Sequence, residues 1–219
     1  EGHYFWDTEM YMFYFYLYSM PELARALLAY RYSILDQARD RAILMDHSRG
    51  ALFPWRTISG RECSAYFPAG TAQAHINGDI ALAAQAYLEA TDDRDFLWTM
   101  GLEILLESAV YYLDLGFYDK RGFCINEVTG PDEYTALVNN NYYTNLIAQL
   151  TMEAAVKAVR TLEGDDAARL DKQFEQLGYN KTEIVTKLEE AAAAMYFPFS
   201  DELGIPLQDE SFADREPWD

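Results

Sequence analysis

Cysteine is scarce in this chain of 219 residues, which contains only Cys63 and Cys124, far apart in the sequence. Neither belongs to a Cys-x-x-Cys pair or to a Cys/His cluster with metal-ligand spacing. The sequence therefore predicts reduced thiols and no metal site. Because free thiols are typical of reducing compartments, we expect a cytoplasmic protein.

Positive charge is also scarce, since 17 Lys and Arg stand against 36 Asp and Glu and the net charge is −19. Such a surface repels nucleic acids and anionic lipids and favours neutral or cationic ligands. No apolar run approaches the roughly 18 uninterrupted residues of a membrane-spanning helix, and no signal-peptide pattern is present. DNA, RNA and membranes are therefore not expected as partners.

Hydrophobic residues make up 50% of the chain and aromatic residues 15%. A chain of this length buries about 70% of its unfolded surface, so one domain covering residues 1–219 is expected, with no second domain. The sequence has more aromatic rings than a core alone requires, and such rings also serve as platforms for flat apolar ligands.

Helical periodicity runs through most of the chain and predicts an all-α fold. The predicted helices are 7–18, 21–45, 78–90, 94–115, 141–162, 166–177 and 180–196, with a small β-hairpin at 117–129. Paired helices with long connections on one side are typical of an α/α toroid or solenoid. The longest connection, 49–74, contains several aromatic residues and is expected to form a binding surface.

Local signals refine these predictions. Helix 7–18 is apolar on all sides, which predicts complete burial. Ser19 and Glu22 have the spacing of a capping box, and Gly116 stands where a left-handed C-cap is common. Asn180 and Glu183 resemble the cap of the last helix.

Residues 130–134 (GPDEY) place Glu133 on a stiff corner, because Gly and Pro end the preceding hairpin. A carboxylic acid at the rim of an apolar cavity stays protonated near neutral pH and donates a proton, which is what the cleavage of a glycosidic bond requires. Taken alone, the same tripeptide also fits an exposed acidic turn.

Trp6 and Asp7 begin the first helix, where an indole next to carboxylates suits a sugar ring and its vicinal hydroxyls. Helix capping is the alternative for these acids. Arg56 and Glu62 combine charge with aromatic neighbours in the long loop, although Arg56 also fits a surface ion pair. His75 is either a ligand-binding or a packing residue.

The asparagine run 139–141, with Asn145 one turn later, is expected to cap a helix and to organise the Glu133 corner.

Several motifs occur together and in order: residues 2–9 (GHYFWDTE), 25–32 (RALLAYRY), 50–55 (GALFPW), 75–79 (HINGD) and 128–134 (VTGPDEY). With Asn140, Asn141 and the 143–145 segment behind them, they resemble the catalytic domain of glycoside hydrolase family 65. That family contains maltose, kojibiose and trehalose phosphorylases and some hydrolases. The resemblance covers essentially the whole chain.

The resemblance implies an (α/α)6 barrel and an inverting attack on an α-glucosidic disaccharide. The general acid of the family falls on Glu133, and the residues that hold the glucosyl ring fall on Trp6 and Asp7. Residues 61–71 match a segment that shapes the acceptor pocket. Inorganic phosphate is the nucleophile in the phosphorylases, so the implied partners are a disaccharide and phosphate, and no cofactor is expected.

Two departures from the family pattern matter. The phosphate-binding loop and a sugar-binding Lys-Gln pair of the family lie beyond residue 219, so the predicted helices form about half of a twelve-helix barrel. For these residues alone we expect exposed apolar helix faces, self-association into a homo-oligomer and little activity. Residues 63–69 differ from the acceptor loop of maltose phosphorylases, which leaves the acceptor sugar open.

Three alternatives accompany the phosphorylase hypothesis. They are a related α-glucoside hydrolase of the trehalase type, a carbohydrate-binding helical module without catalysis, and a helical scaffold for protein partners.

Overall fold

Helices dominate the computed structural model, which describes residues 3–64, 68–132 and 136–216. Its first part consists of β1 (Tyr4–Phe5), a π-helical turn (Thr8–Met12), α1 (Phe13–Ser19), α2 (Pro21–Ser33), α3 (Leu35–Leu44), β2 (Arg56–Thr57) and a 3-10 helix (Pro68–Ala72). The middle part consists of α4 (His75–Thr91), α5 (Arg94–Phe96), a second π-helical turn (Leu97–Gly101), α6 (Leu102–Leu115), β3 (Phe117–Asp119) and β4 (Gly122–Cys124). The last part consists of α7 (Tyr142–Leu177), α8 (Lys181–Ala193), β5 (Phe199–Ser200), β6 (Ile205–Pro206) and a 3-10 helix (Phe212–Asp214). The all-α prediction is confirmed.

The strands form short antiparallel pairs, β1 with β2, β3 with β4 and β5 with β6. The β3–β4 pair is the predicted hairpin, although it is shorter than residues 117–129. The helices carry the packing: α7 lies against α4, α6 and α8, while α1 and α2 cover the other side of α4. Two neighbouring cores result, one around α6 and α7 and one around α4 and the first helices.

Gly78 permits the close crossing of α4 and α7. A Cβ atom at this position would lie 1.6 Å from Ile147 Cγ2, far too close for two atoms that are not bonded to each other. The two helix backbones therefore approach each other more closely here than any larger residue would allow.

The segment Arg94–Leu115 has the length and the hydropathy of a membrane-crossing helix, but 72% of its most apolar window is buried inside the protein. α6 packs against α4, α7 and α8. We therefore interpret this segment as a core helix.

The prediction that helix 7–18 is fully buried is wrong. Phe13 and Leu17 are buried, but Tyr11, Phe15 and Tyr18 are 71%, 66% and 78% exposed. α1 packs on α2 and α4 with one face only, so its opposite face is uncovered among the described residues. These aromatic side chains match the expectation of exposed apolar helix faces.

The capping box at Ser19 is also wrong. The Ser19 hydroxyl donates back to the Phe15 carbonyl at 2.5 Å, and Met20 occupies the N-cap position of α2 without a side-chain cap. The predicted helix 21–45 is two helices, because Ile34 leaves helical geometry with φ −105° and ψ 11°. The two predicted helices 141–162 and 166–177 are confirmed as two helical stretches that meet at a kink at Asp166, where φ is −157° and ψ is 89°, and they are numbered together as α7.

Gly116 ends α6 in an extended conformation, with φ −86° and ψ 169°, so the predicted left-handed cap is wrong. Its role is close approach, because a Cβ atom there would lie 2.2 Å from the Phe123 ring. The cap of α8 is confirmed, since the Asn180 side chain accepts the Glu183 N–H at 3.0 Å.

Candidate active site

The β1–β2 ribbon brings the N-terminal segment to the long loop. Phe5 pairs with Arg56, and the guanidinium of Arg56 lies 5.0 Å from the centroid of the Phe5 ring and 5.3 Å from that of Trp55. Trp6 and Asp7 follow β1 directly. Three residues predicted for the site, Trp6, Asp7 and Arg56, are thus held by one ribbon.

Trp6 is a buried side chain that packs against His75 and has one polar atom without a hydrogen-bond partner among the described residues. It is 5% exposed, and its ring meets the His75 ring edge to face, with centroids 4.9 Å apart and planes at 79°. Its indole Nε1 is buried and has no hydrogen-bond partner among the described residues. The structure thereby brings together Trp6 and His75, which are far apart in the sequence.

His75 begins α4 and is fully buried. Its Nδ1 lies 2.7 Å from Asp79 Oδ2, and the Tyr143 hydroxyl donates to Asp79 Oδ1 at 2.7 Å. Burial, reinforced by the charge of Asp79, raises the pKa of the Tyr143 hydroxyl, so Tyr143 stays a donor. The His75 and Tyr143 rings also pack edge to face at 5.5 Å.

Sequence analysis missed Asp79 and Tyr143. The i, i+4 spacing of His75 and Asp79 places both on one face of a helix and is a signal that was available. No local sequence pattern links His75 or Asp79 to Tyr143, which lies 64 positions after Asp79.

Asp7 precedes the first π-helical turn at a helix N-terminus, where a carboxylate is favoured. Its side chain makes no capping hydrogen bond, and it is only partly buried. The helix-cap alternative considered for Asp7 is therefore not supported. π-Helical turns are frequent at functional sites.

A buried ion pair anchors this turn. Glu9 accepts two hydrogen bonds from Arg31 Nε and Nη2, both at 2.8 Å, and one from the Tyr4 hydroxyl at 2.9 Å. Both charged side chains are fully buried. Separating the two side chains would leave a buried charge uncompensated, which is strongly unfavourable. The pair therefore fixes the position of Glu9 and with it the backbone that follows Asp7.

Glu62 lies inside the long loop and organises it. Its carboxylate accepts the backbone N–H groups of residues 55, 56, 63 and 64 at 2.8 to 3.4 Å and pairs with Arg41 at 2.9 Å. Both oxygens are thus used within the protein, and the substrate-binding role of Glu62 stays a prediction. Phe53 and Trp55 are buried in the core rather than displayed on a binding surface.

Glu133 lies outside the described residues, and residues before and after it in the chain are joined by backbone hydrogen bonds. Val128 and Val138 exchange backbone hydrogen bonds at 3.0 and 2.9 Å, which closes the loop between them. The Thr129 N–H donates to the Ala72 carbonyl at 3.0 Å, three residues before His75.

The corner also contacts the start of α7. A Cβ atom at Gly130 would lie 2.6 Å from the Asn141 amide, and Asn141 is the N-cap of α7, as predicted for the asparagine run. Tyr143 is two residues further on. The structure thus places residues 128–130, which precede Glu133 in the sequence, beside the turn of α7 that contacts His75, and His75 contacts Trp6.

Three cavities of the described part lie elsewhere. Their volumes are about 340, 380 and 540 Å³, and they are formed by α4 with α6 and α7, by α3 with α6 and α7, and by α7 with α8. Neither Trp6 nor His75 lines any of them. The candidate site is recognised instead by its cluster of polar and aromatic side chains, Trp6, His75, Asp79 and Tyr143.

Comparison with known proteins adds the following. Residues 1–219 match the family model described as the glycosyl hydrolase family 65 central catalytic domain. The α,α-trehalose phosphorylase of Geobacillus stearothermophilus is 52% identical over 219 residues, which cover 100% of this chain and 28% of that protein. The kojibiose phosphorylase of Halothermothrix orenii is 31% identical and is matched over 100% of this chain and 30% of its own length.

A solved structure, a putative kojibiose phosphorylase from human microbiome, superposes with a TM-score of 0.85 at 31% identity, covering 97% of this chain and 28% of that one. The structural match agrees with a partial (α/α)6 barrel. The chain spans less than a third of the length of the relatives it matches.

Proposed function

The chain belongs to glycosyl hydrolase family 65, and from this premise we propose that it is part of a disaccharide phosphorylase that acts on α,α-trehalose. The choice of trehalose as the substrate rests on the 52% identity to an α,α-trehalose phosphorylase along the whole chain. Kojibiose and maltose are the alternative substrates, because phosphorylases of these sugars are also relatives of the chain. They rank below trehalose, because those relatives are less similar in sequence.

We assign the role of general acid to Glu133. It protonates the glycosidic oxygen while inorganic phosphate attacks the anomeric carbon from the opposite face. The bond from C1 to the leaving sugar oxygen breaks, a bond from C1 to a phosphate oxygen forms, and the proton leaves with the released sugar. Inversion of an α-glucoside then gives β-glucose 1-phosphate.

Two parts of the structure support this assignment, the loop that contains Glu133 and the β1–β2 ribbon. The loop that carries Glu133 is closed by Val128 and Val138 and is tied to Ala72, which is close in sequence to His75. Trp6 contacts the His75 ring and is followed by Asp7, whose carboxylate is a suitable acceptor for sugar hydroxyls. Arg56, stacked on Phe5, is a donor at the same ribbon.

The test is a product assay with an enzymatically active protein that contains this chain. Trehalose, maltose and kojibiose are each incubated with and without phosphate, and β-glucose 1-phosphate and free glucose are measured. We expect phosphate-dependent β-glucose 1-phosphate, fastest from trehalose. Glucose released without phosphate would instead identify the hydrolase.

Glu133→Gln is the matched variant, since it keeps the size of the side chain and removes its proton. We expect turnover to fall by about 10²- to 10⁴-fold, the usual contribution of general acid catalysis. Trehalose binding that is equal in both forms, with turnover in neither, would identify a binding module without catalysis. A melting temperature that no sugar changes would point to a scaffold.

We also propose that the 219-residue chain self-associates. The exposed aromatic residues Tyr11, Phe15 and Tyr18 on α1 form an uncovered apolar face of the kind that drives association. Light scattering is expected to show species heavier than one chain, and a monodisperse monomer with a sharp cooperative melting transition would contradict this proposal. A cytoplasmic location stays a prediction.

A further inference from the structure

The three side chains His75, Asp79 and Tyr143, called here the polar triad, form a continuous hydrogen-bonded row. Each oxygen of the Asp79 carboxylate has one partner, His75 Nδ1 at 2.7 Å and the Tyr143 hydroxyl at 2.7 Å. His75 and Asp79 are fully buried. The row connects α4 to the first turn of α7.

The polarity of this row follows from the chemistry of a carboxylate, which only accepts hydrogen bonds when ionised. Tyr143 therefore donates to one oxygen and His75 Nδ1–H donates to the other. With the proton held on Nδ1, neutral His75 presents a lone pair at Nε2.

That lone pair has no partner among the described residues, and neither has the indole N–H of Trp6. The two rings are in edge-to-face contact, with centroids 4.9 Å apart. A buried polar atom without a partner costs free energy, and here a donor on one ring and an acceptor on the ring in contact with it both lack one. A hydroxyl group, which both donates and accepts, satisfies such a pair.

We propose that Asp79 and Tyr143 are positioning residues that hold His75 with Nε2 as an acceptor, so that His75 and Trp6 together bind the hydroxyl groups of the sugar. This inference rests on the proposed function for the identity of the ligand. The polarity of the triad stands apart from it and is measurable without substrate.

The first experiment is ¹⁵N NMR of the imidazole groups in an enzymatically active protein that contains this chain, without substrate. This chain contributes three histidines, His3, His47 and His75, and single substitution of each assigns its signals. We expect His75 to carry its proton on Nδ1. A proton on Nε2 would overturn the proposal whatever the substrate is.

Asp79→Asn tests the cause of this polarity, because an amide also offers an N–H to His75 Nδ1 and permits the other tautomer. We expect the Nε2–H form of His75 to appear in Asp79→Asn and to be absent in Tyr143→Phe, which keeps the carboxylate. An unchanged tautomer in folded Asp79→Asn would contradict the role of Asp79. His47, which faces Asp114 at 3.1 Å, is the internal control and should not change.

The second experiment adds α,α-trehalose. The His75 Nε2 resonance is expected to shift on binding, while the His47 resonances stay in place. If trehalose binds and the Nε2 resonance does not move, His75 does not contact the sugar. This conclusion would hold even if His75 carries its proton on Nδ1 as expected.

Kinetics in an active protein separates this inference from the proposed function. By analogy with carboxylates that orient a metal-binding histidine, Asp79→Asn should raise KM for the disaccharide by about 10- to 100-fold, with a smaller change in kcat. Tyr143→Phe should have the same pattern at lower amplitude. Loss of kcat with KM unchanged would overturn the positioning role, whereas a wild-type protein that forms no sugar phosphate would overturn the proposed function.

Discussion

Two regions of the molecule bury very different side chains. The aliphatic region, where α6, α7 and α8 pack together, buries residues such as Leu106, Val110, Met152 and Leu188. The polar region, around the N-termini of α4 and α7 and the first π-helical turn, buries Glu9, Arg31, His75, Asp79 and Asn145. Burial of aliphatic groups stabilises the fold, whereas burial of polar groups costs free energy unless every partner is in place. The polar region is therefore the costlier one to bury, and it contains the side chains of the proposed site.

The largest expected effect comes from removing one charge of the polar region. Arg31→Met leaves the Glu9 carboxylate buried without its cation and should lower the free energy of unfolding by about 3–5 kcal/mol, as measured by urea denaturation. Ile184→Val in the aliphatic region should cost only about 0.5–1.5 kcal/mol.

The double substitution Glu9→Met with Arg31→Met is the control. It removes both charges and should recover much of the loss, because replacing a buried ion pair by apolar residues is often close to neutral. If the double variant is as unstable as the single one, packing around residue 31 rather than the pair explains the effect.

The next effect concerns the crossing of α4 and α7, which joins the two regions. Gly78→Ala forces a methyl group against Ile147 and should cost about 1–3 kcal/mol. Gly164→Ala is matched to it, because Gly164 is also helical but has no heavy atom within 4 Å of an added Cβ. That change should stabilise by about 0.5–1 kcal/mol. Equal effects at the two sites, from thermal or urea melts, would contradict the close crossing.

The smallest effect is a pH dependence at the start of the α5–α6 segment. Burial raises the pKa of the Asp93 carboxyl, but hydrogen bonds from the Phe96 N–H, the Tyr87 hydroxyl and a side-chain guanidinium outweigh it and hold this pKa below its usual value. The guanidinium is that of Arg25, at 3.0 Å.

A depressed carboxyl pKa contributes stability that is present above the unfolded pKa of about 3.9 and is lost as pH falls through the folded value. Asp93→Asn keeps the helix cap and removes the charge. Between about pH 5 and about pH 3, the free energy of unfolding of this variant should therefore fall less than that of the wild type. Parallel pH curves for the two proteins would refute this role.

Much of the fold was predictable because periodicity and caps are local. The positions of α4, α6 and α8 followed from helical spacing and from Asn180, as did the cap at Asn141. The burial of helix 7–18 was not predictable, because an all-apolar helix reveals its total hydrophobicity but not which neighbours cover it.

The site was predictable only in part. Trp6, Asp7, Arg56 and His75 stood out by residue type, and the structure brings them to one ribbon and one helix start. Asp79 and Tyr143 escaped, since their role depends on the crossing of α4 and α7. The ion pair of Glu9 and Arg31 was not predicted either, because it depends on the contact between the first π-helical turn and α2.

The most direct test of the central claim is whether residue 133 lies against Trp6. In Glu133→Cys labelled with a bimane fluorophore, quenching by tryptophan reports contact between the two positions. We predict quenched emission that recovers in the additional variant Trp6→Phe and does not recover with Trp98→Phe, which lies in the aliphatic region. Emission that is the same with Trp6 and with Trp6→Phe would contradict a shared site for Glu133 and Trp6.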